Sequence, residues 1–113
     1  MDLVYRHNGS FGLVDYKSNH LGDAVSDYAE APLREAMVHH DYILQYHLYV
    51  VALHRYLTHR LPGYRYEEHV GGARYLFVRG MVPEAGAGAG VYADRPPEAL
   101  IEALSEALDG AHG

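Results

Sequence analysis

The chain has 113 residues, 49% of them hydrophobic and 21% charged, which allows one small globular domain and excludes a disordered chain. It contains no cysteine, which removes disulfide frameworks, thiolate zinc sites, iron–sulfur clusters and cysteine nucleophiles, and fits a reducing compartment. Its formal charge of −6 argues against a module that holds nucleic acid by charge alone, because phosphate attraction needs surplus Lys and Arg.

No stretch approaches the ~18–20 uninterrupted apolar residues of a membrane span. The N-terminus lacks a signal-peptide layout, so the sequence reads as a cytoplasmic protein without a membrane partner. Residues 2–17 read as a β-hairpin. Asn8-Gly9 is the preferred pair for a two-residue type I′ turn, because both central residues need positive φ. Counting outward from that turn pairs His7 with Ser10, Val4 with Leu13, and Asp2 with Asp15. Residues 18–32 read as a loop with one helical turn. Residues 33–61 read as one long helix, with His39-His40 as the place for a break near its start. From Tyr42 to Leu57 the segment is apolar nearly all round, which predicts a largely buried helix. Pro62-Gly63 stops it.

A polar connection follows, closed by Gly71-Gly72, and residues 73–82 form the third strand candidate. Their continuous apolar run predicts a strand covered on both faces, as in a central or parallel position. Residues 84–95, rich in Gly and Ala, read as a flexible loop. Residues 96–109 read as a C-terminal helix with Leu100, Ile101, Leu104 and Leu108 as its apolar stripe. The order strand, strand, helix, strand, helix implies an α/β domain with a mixed sheet. Three strands and two helices are thin cover, and a strand begins directly behind Met1. The expectation is a domain incomplete at its N-terminal end.

The chemistry concentrates in Asp2 and Asp15-Tyr16-Lys17. Strand side chains alternate, so Asp15 and Lys17 share a face. The hairpin count sets Asp2 across from Asp15, where Cβ atoms lie roughly 4.5–5.5 Å apart. Two carboxylates held there repel unless a cation sits between them, and hard oxygen donors at that spacing suit Mg2+. Lys17, one step along the same face, can position a water or stabilise charge developing on a phosphorus centre. In the helix, Gln45 and Tyr49 are four apart and share a face. Gln45 either meets a nucleotide or satisfies a buried polar group, and Tyr49 either stacks or phosphate-binds, or is core. His40, His47 and His54 follow one helical stripe, but three aligned histidines do not make the converging set that zinc needs. Arg74 and Arg79 read as solvated strand ends, and the eleven tyrosines as a half-wet core.

The segments Asp15-Tyr16-Lys17-Ser18-Asn19, Leu44-Gln45-Tyr46-His47-Leu48-Tyr49, Ala52-Leu53-His54-Arg55-Tyr56-Leu57 and Gly71-Gly72-Ala73-Arg74-Tyr75-Leu76-Phe77-Val78-Arg79-Gly80 occur in this order and spacing. Together with Asp2 they resemble the C-terminal nuclease domain of the RecB family, within the PD-(D/E)xK nuclease superfamily. The resemblance implies a restriction-endonuclease-like fold and Mg2+-dependent exonuclease and endonuclease hydrolysis of DNA in double-strand-break repair and recombination. It implies Asp2, Asp15 and the Tyr16 backbone carbonyl as metal ligands, Lys17 as the catalytic lysine, and Gln45 and Tyr49 as a DNA-contacting or site-supporting helical motif. It also implies RecC-like and RecD-like subunits and the recombinase RecA as partners. A metal-ligand histidine that the family carries upstream has no counterpart before Asp2. The isolated chain is therefore expected to cleave DNA weakly or not at all. The competing expectation is a catalytically incomplete module that serves only to dock on protein partners.

Overall fold

A computed structural model describes residues 3–82 and 89–110. The expected Asp2–Asp15 pairing lies outside the described residues, as does most of the glycine-rich stretch.

The hairpin forms as its turn residues dictate. Strand β1 (Leu3–His7) pairs antiparallel with β2 (Ser10–Lys17). Asn8 and Gly9 take φ of 50° and 80°, the left-handed values a type I′ turn requires. His7 faces Ser10 and Val4 faces Leu13, and the last described rung is Leu3 with Val14. A long crossover then brings β3 (Val70–Phe77) parallel to β2, with Asp15 beside Tyr75 and Lys17 beside Phe77. Strand β4 (Val91–Asp94) completes a mixed sheet ordered β1-β2-β3-β4.

The differences from the sequence reading have local causes. Gly71 and Gly72 do not close a loop but lie inside β3. The register slips between Phe11 and Gly12, so the ladder skips Gly71, and Gly72 takes φ +90°. A Cβ on Gly72 would stand 2.4 Å from the Asp94 carbonyl oxygen, so the β3–β4 approach needs glycine there. Strand β3 ends at Phe77, and a 3-10 turn over Val78–Gly80 replaces the rest of the expected run to 82. Strand β4 falls in the stretch expected to be a loop. The expected long helix is parted close to the break expected at His39-His40, into α1 (Glu30–His39) and α2 (Tyr42–Arg60). They are separated at Asp41, whose φ of 59° is a left-handed conformation that aspartate tolerates. A single turn, α3 (Tyr66–His69), and the terminal helix α4 (Glu98–Gly110) complete the fold.

The helices gather on one face of the sheet. Leu13, Ala73, Tyr75 and Phe77 point into a core with Leu33 and Met37 of α1 and Tyr46, Val50, Leu53 and Leu57 of α2. Each large apolar side chain buried there contributes about 1.5–3 kcal/mol. The other face carries Tyr5, Val14, Tyr16, Arg74, Leu76, Val91 and Ala93, and no described element covers it. Strand β3 accordingly alternates, with Arg74 exposed between buried Ala73 and Tyr75, instead of being covered on both sides. Helix α2 is likewise half buried: Leu44, Leu48 and Tyr56 lie exposed at four- and eight-residue spacings on its outer side. Its apolar surface exceeds what the sheet and α4 can cover. No helix among the described residues is long and apolar enough to cross a membrane.

Candidate active site

The carboxyl ends of β2 and β3 carry the polar residues that the sequence singled out. Open α/β sheets present functional groups at strand carboxyl ends. Alternation along β2 turns Leu13, Asp15 and Lys17 toward the helices. Asp15 is only 3% exposed. Lys17 Nζ stands 3.4 Å from Asp15 Oδ1 and is itself mostly covered. A buried carboxylate is costly unless charge or donors compensate it, so its place beside the lysine marks a site and not a solvated strand end.

The N-terminal turns of α2 close this corner. Lys17 Nζ lies 4.2 Å from the ring centroid of Tyr42 and 5.5 Å from that of Tyr75. Tyr75, the neighbour of Asp15 across the parallel ladder, donates its hydroxyl hydrogen bond to Gln45 Oε1. Burial, and then the negative charge of Asp15, push the Tyr75 phenol well above its ordinary value, so it stays protonated. Tyr49, one turn beyond Gln45, is half-buried against the core and close enough to Tyr75 to add to that upward push. Of the expected site residues, the structure brings together Asp15, Lys17, Gln45 and Tyr49. Tyr16 points its exposed side chain to the opposite sheet face, leaving only its backbone to face the ladder. Asp2 lies outside the described residues.

The loop after β2 is tied to the same corner. Arg79 Nε donates to the Ser18 carbonyl oxygen at 2.6 Å, and the Tyr42 hydroxyl donates to Asn19 Oδ1 at 3.4 Å. Arg79 is exposed, as expected, and also pins the backbone just behind Lys17. Sequence reading missed Tyr42, Tyr75 and Arg79. The available signal was the Tyr75 position itself, opposite Asp15 once the two strands are laid parallel.

Asp15 and the backbone oxygens of β2 are hard donors, which fit a Mg2+-type cation better than a soft metal. Among the described residues no three His, Asp or Glu side chains converge on a metal-sized space. The histidine stripe has other partners. His40 stacks on Tyr42, and a His47 ring nitrogen bonds the Ile43 carbonyl oxygen. His54 is buried between Tyr64 and Glu102, with ring nitrogens 2.6 Å from the Tyr64 hydroxyl and 2.8 Å from Glu102 Oε1.

No family model matches the chain. Curated relatives do. The RecBCD enzyme subunit RecB of Escherichia coli (strain K12) is 48% identical over 110 residues, which cover 97% of this chain and 9% of that protein. The subunit of the same name from Mycobacterium tuberculosis (strain ATCC 25618 / H37Rv) is 50% identical over 115 residues, covering 96% of this chain and 10% of that protein. RecB of Buchnera aphidicola subsp. Baizongia pistaciae (strain Bp) is 32% identical over 106 residues, or 94% of this chain and 9% of that protein. The chain spans about a tenth of the length of the curated relatives it matches.

Proposed function

We propose that this chain, homologous to RecB over nearly its whole length, is the nuclease module of a RecBCD-type helicase–nuclease and serves recombination and double-strand-break repair. The observation that carries this reading is the buried Asp15 beside Lys17 at the end of β2, inside the segment Asp15-Tyr16-Lys17-Ser18-Asn19. The reaction is hydrolysis of a DNA phosphodiester bond by water. The carboxylate of Asp15, the carbonyl of Tyr16 and the carboxylate of Asp2 would hold Mg2+. When bound, such a cation neutralises phosphate charge and makes a water more acidic.

The chain's own residues then have defined tasks. Asp15 supplies fixed negative charge in a water-poor corner. Lys17 holds a single positive charge where it can orient a water or meet the negative charge that builds on the phosphate oxygens. Gln45 and Tyr49 support the site from the helix side. DNA, RecC-like and RecD-like subunits and RecA are the partners of this reading, in the cytoplasm.

The test replaces the matching stretch of the E. coli subunit with this chain and assays cleavage of linear DNA with Mg2+. Cleavage is expected, and Asp15→Ala should lower it by about a thousandfold or more. An unchanged rate in Asp15→Ala would sink the assignment. The chain on its own should cleave weakly or not at all, and robust cleavage by it would contradict the expected dependence on a ligand outside it. A docking-only reading draws support from the exposed Leu44, Leu48 and Tyr56 stripe. It predicts that the chimaera is inactive even though the chain folds and joins its partners.

A further inference from the structure

Lys17 is the only lysine in a chain that uses arginine for its eight other basic residues. Arginine serves wherever charge meets solvent or a surface carboxylate, as at Arg34, Arg55 and Arg65. The single lysine sits where two aromatic rings meet. The Tyr42 and Tyr75 centroids are 5.4 Å apart with their planes tilted by 32°, and the ammonium lies over both. A compact ammonium suits that corner better than a flat guanidinium of larger span.

Both rings are themselves held. Tyr75 is 2% exposed and its hydroxyl is bonded to Gln45. Tyr42 stacks on His40 on one side, with centroids 5.2 Å apart, and bonds Asn19 through its hydroxyl. Residues from α2, β3 and the loop after β2 thus converge on one flexible side chain. A lysine has several rotatable bonds, and its catalytic value depends on where its charge is held. Ring faces attract the ammonium without neutralising it, so they fix its place and leave its charge available to substrate.

We propose that Tyr42 and Tyr75 are positioning residues that hold the Lys17 ammonium beside Asp15, and that Gln45 acts through Tyr75 and not on DNA. This inference rests on the reading of Lys17 as the catalytic lysine. It gives the helical Gln45 a structural target and assigns roles to two tyrosines that the sequence motifs leave unassigned.

Two measurements test it, one of them independent of activity. In the isolated chain, lysine-selective isotope labelling gives one side-chain signal. Its ε-methylene protons should lie upfield of free lysine because of the ring faces, and Tyr42→Leu should return them toward the free position. A wild-type signal already at the free position overturns the geometry. In the chimaeric subunit, Tyr42→Leu should lower kcat by roughly 10- to 100-fold with KM for DNA unchanged, the scale expected of a misplaced catalytic group. Tyr42→Phe should rescue most of the loss. In a Lys17→Ala background, Tyr42→Leu should cost nothing further. A further loss of the same size there would show that the ring merely supports the fold.

Gln45→Leu and Tyr75→Phe should have equal effects that do not add. A raised KM in Gln45→Leu alone would place Gln45 on DNA and overturn that half of the proposal. Thermal melts of each variant separate unfolding from misplacement. Should Lys17→Ala cleave normally, the nuclease reading fails while the methylene signal still reports the aromatic corner.

Discussion

The two ends of α2 are built from similar parts and do different work. At one end, Tyr42 and Gln45 meet Lys17, Asp15 and Tyr75. At the other, about 18 Å along the helix axis, His54 and Arg55 meet Tyr64, Glu102, Ser105 and Asp109. The His54 end commits both ring nitrogens to hydrogen bonds, of 2.6 and 2.8 Å. Arg55 is similarly committed, donating at 2.8 Å to the Ser105 hydroxyl, the Ser105 carbonyl oxygen and Asp109. Little there is left to meet a substrate. At the Lys17 end ring faces join the polar contacts. Its ion pair at 3.4 Å is longer than a charge-assisted hydrogen bond of about 2.7–2.9 Å, and two ring faces add to its hold. A fastener pairs its polar groups fully. The Lys17 end instead seats its charge on aromatic rings as well as beside a carboxylate.

That contrast can be broken by experiment. The largest expected effect is at the reactive end. Asp15→Asn in the chimaeric subunit should reduce cleavage by about three orders of magnitude while the melting temperature of the isolated chain stays within a few degrees. A chain that unfolds on this change would make Asp15 a structural residue. The reverse pattern is expected at the fastening end. His54→Ala leaves Tyr64 and Glu102 without a shared partner and should cost about 1–3 kcal/mol in denaturant unfolding. The lysine methylene signal should not move in that variant.

Alkaline titration reaches both ends together. Burial raises the phenols of Tyr46, Tyr64, Tyr66 and Tyr75, with Tyr66 pushed up to about 12. These phenols keep their protons in the folded chain after the unfolded chain has begun to lose them near pH 10. The unfolded state then binds fewer protons, so stability is intact below pH 10 and falls as pH rises toward 12. Each such phenol removes about 1.4 kcal/mol per pH unit over that interval. The share of tyrosinate absorbance that comes from these four phenols should therefore appear in one cooperative step with unfolding. Ionisation of all eleven tyrosines with far-UV dichroism unchanged would show these four phenols to be accessible. The smallest effect is expected for Arg55→Ala. Its partly exposed contacts to α4 are worth about 0.5–1.5 kcal/mol, read as a lower melting temperature.

Much of this arrangement was legible in the chain. Asn8-Gly9 determined the hairpin register because few other residue pairs accept its backbone angles. The apolar run before Phe77 announced a central, parallel strand, though not that its second face stays open. The spacing of Asp15, Lys17, Gln45 and Tyr49 marked the residues that the fold then gathers. Other features were hidden for physical reasons. A glycine pair gives the same signal in a loop and in a bulge, so Gly71-Gly72 was misplaced. Helical periodicity does not report which stripe finds a partner, so the exposed side of α2 could not be read. The contact between Lys17 and two rings depends on α2 starting afresh at Asp41, where the backbone turn redirects the helix. The sequence marked a break at His39-His40, but not the left-handed turn at Asp41 that sets the new direction.

The open side of the sheet has a consequence for handling the molecule. Tyr5, Tyr16, Leu76 and Val91 form a greasy shelf in water, interrupted by the single charge of Arg74. Surfaces of this kind capture environment-sensitive dyes without any loss of structure. The native chain should therefore light up 1-anilinonaphthalene-8-sulfonate at neutral pH while its melt stays cooperative. Dye binding alone would be a poor gauge of misfolding for this protein. Kosmotropic salts, which strengthen apolar association, should drive it out of solution early, and Leu76→Arg should delay that precipitation.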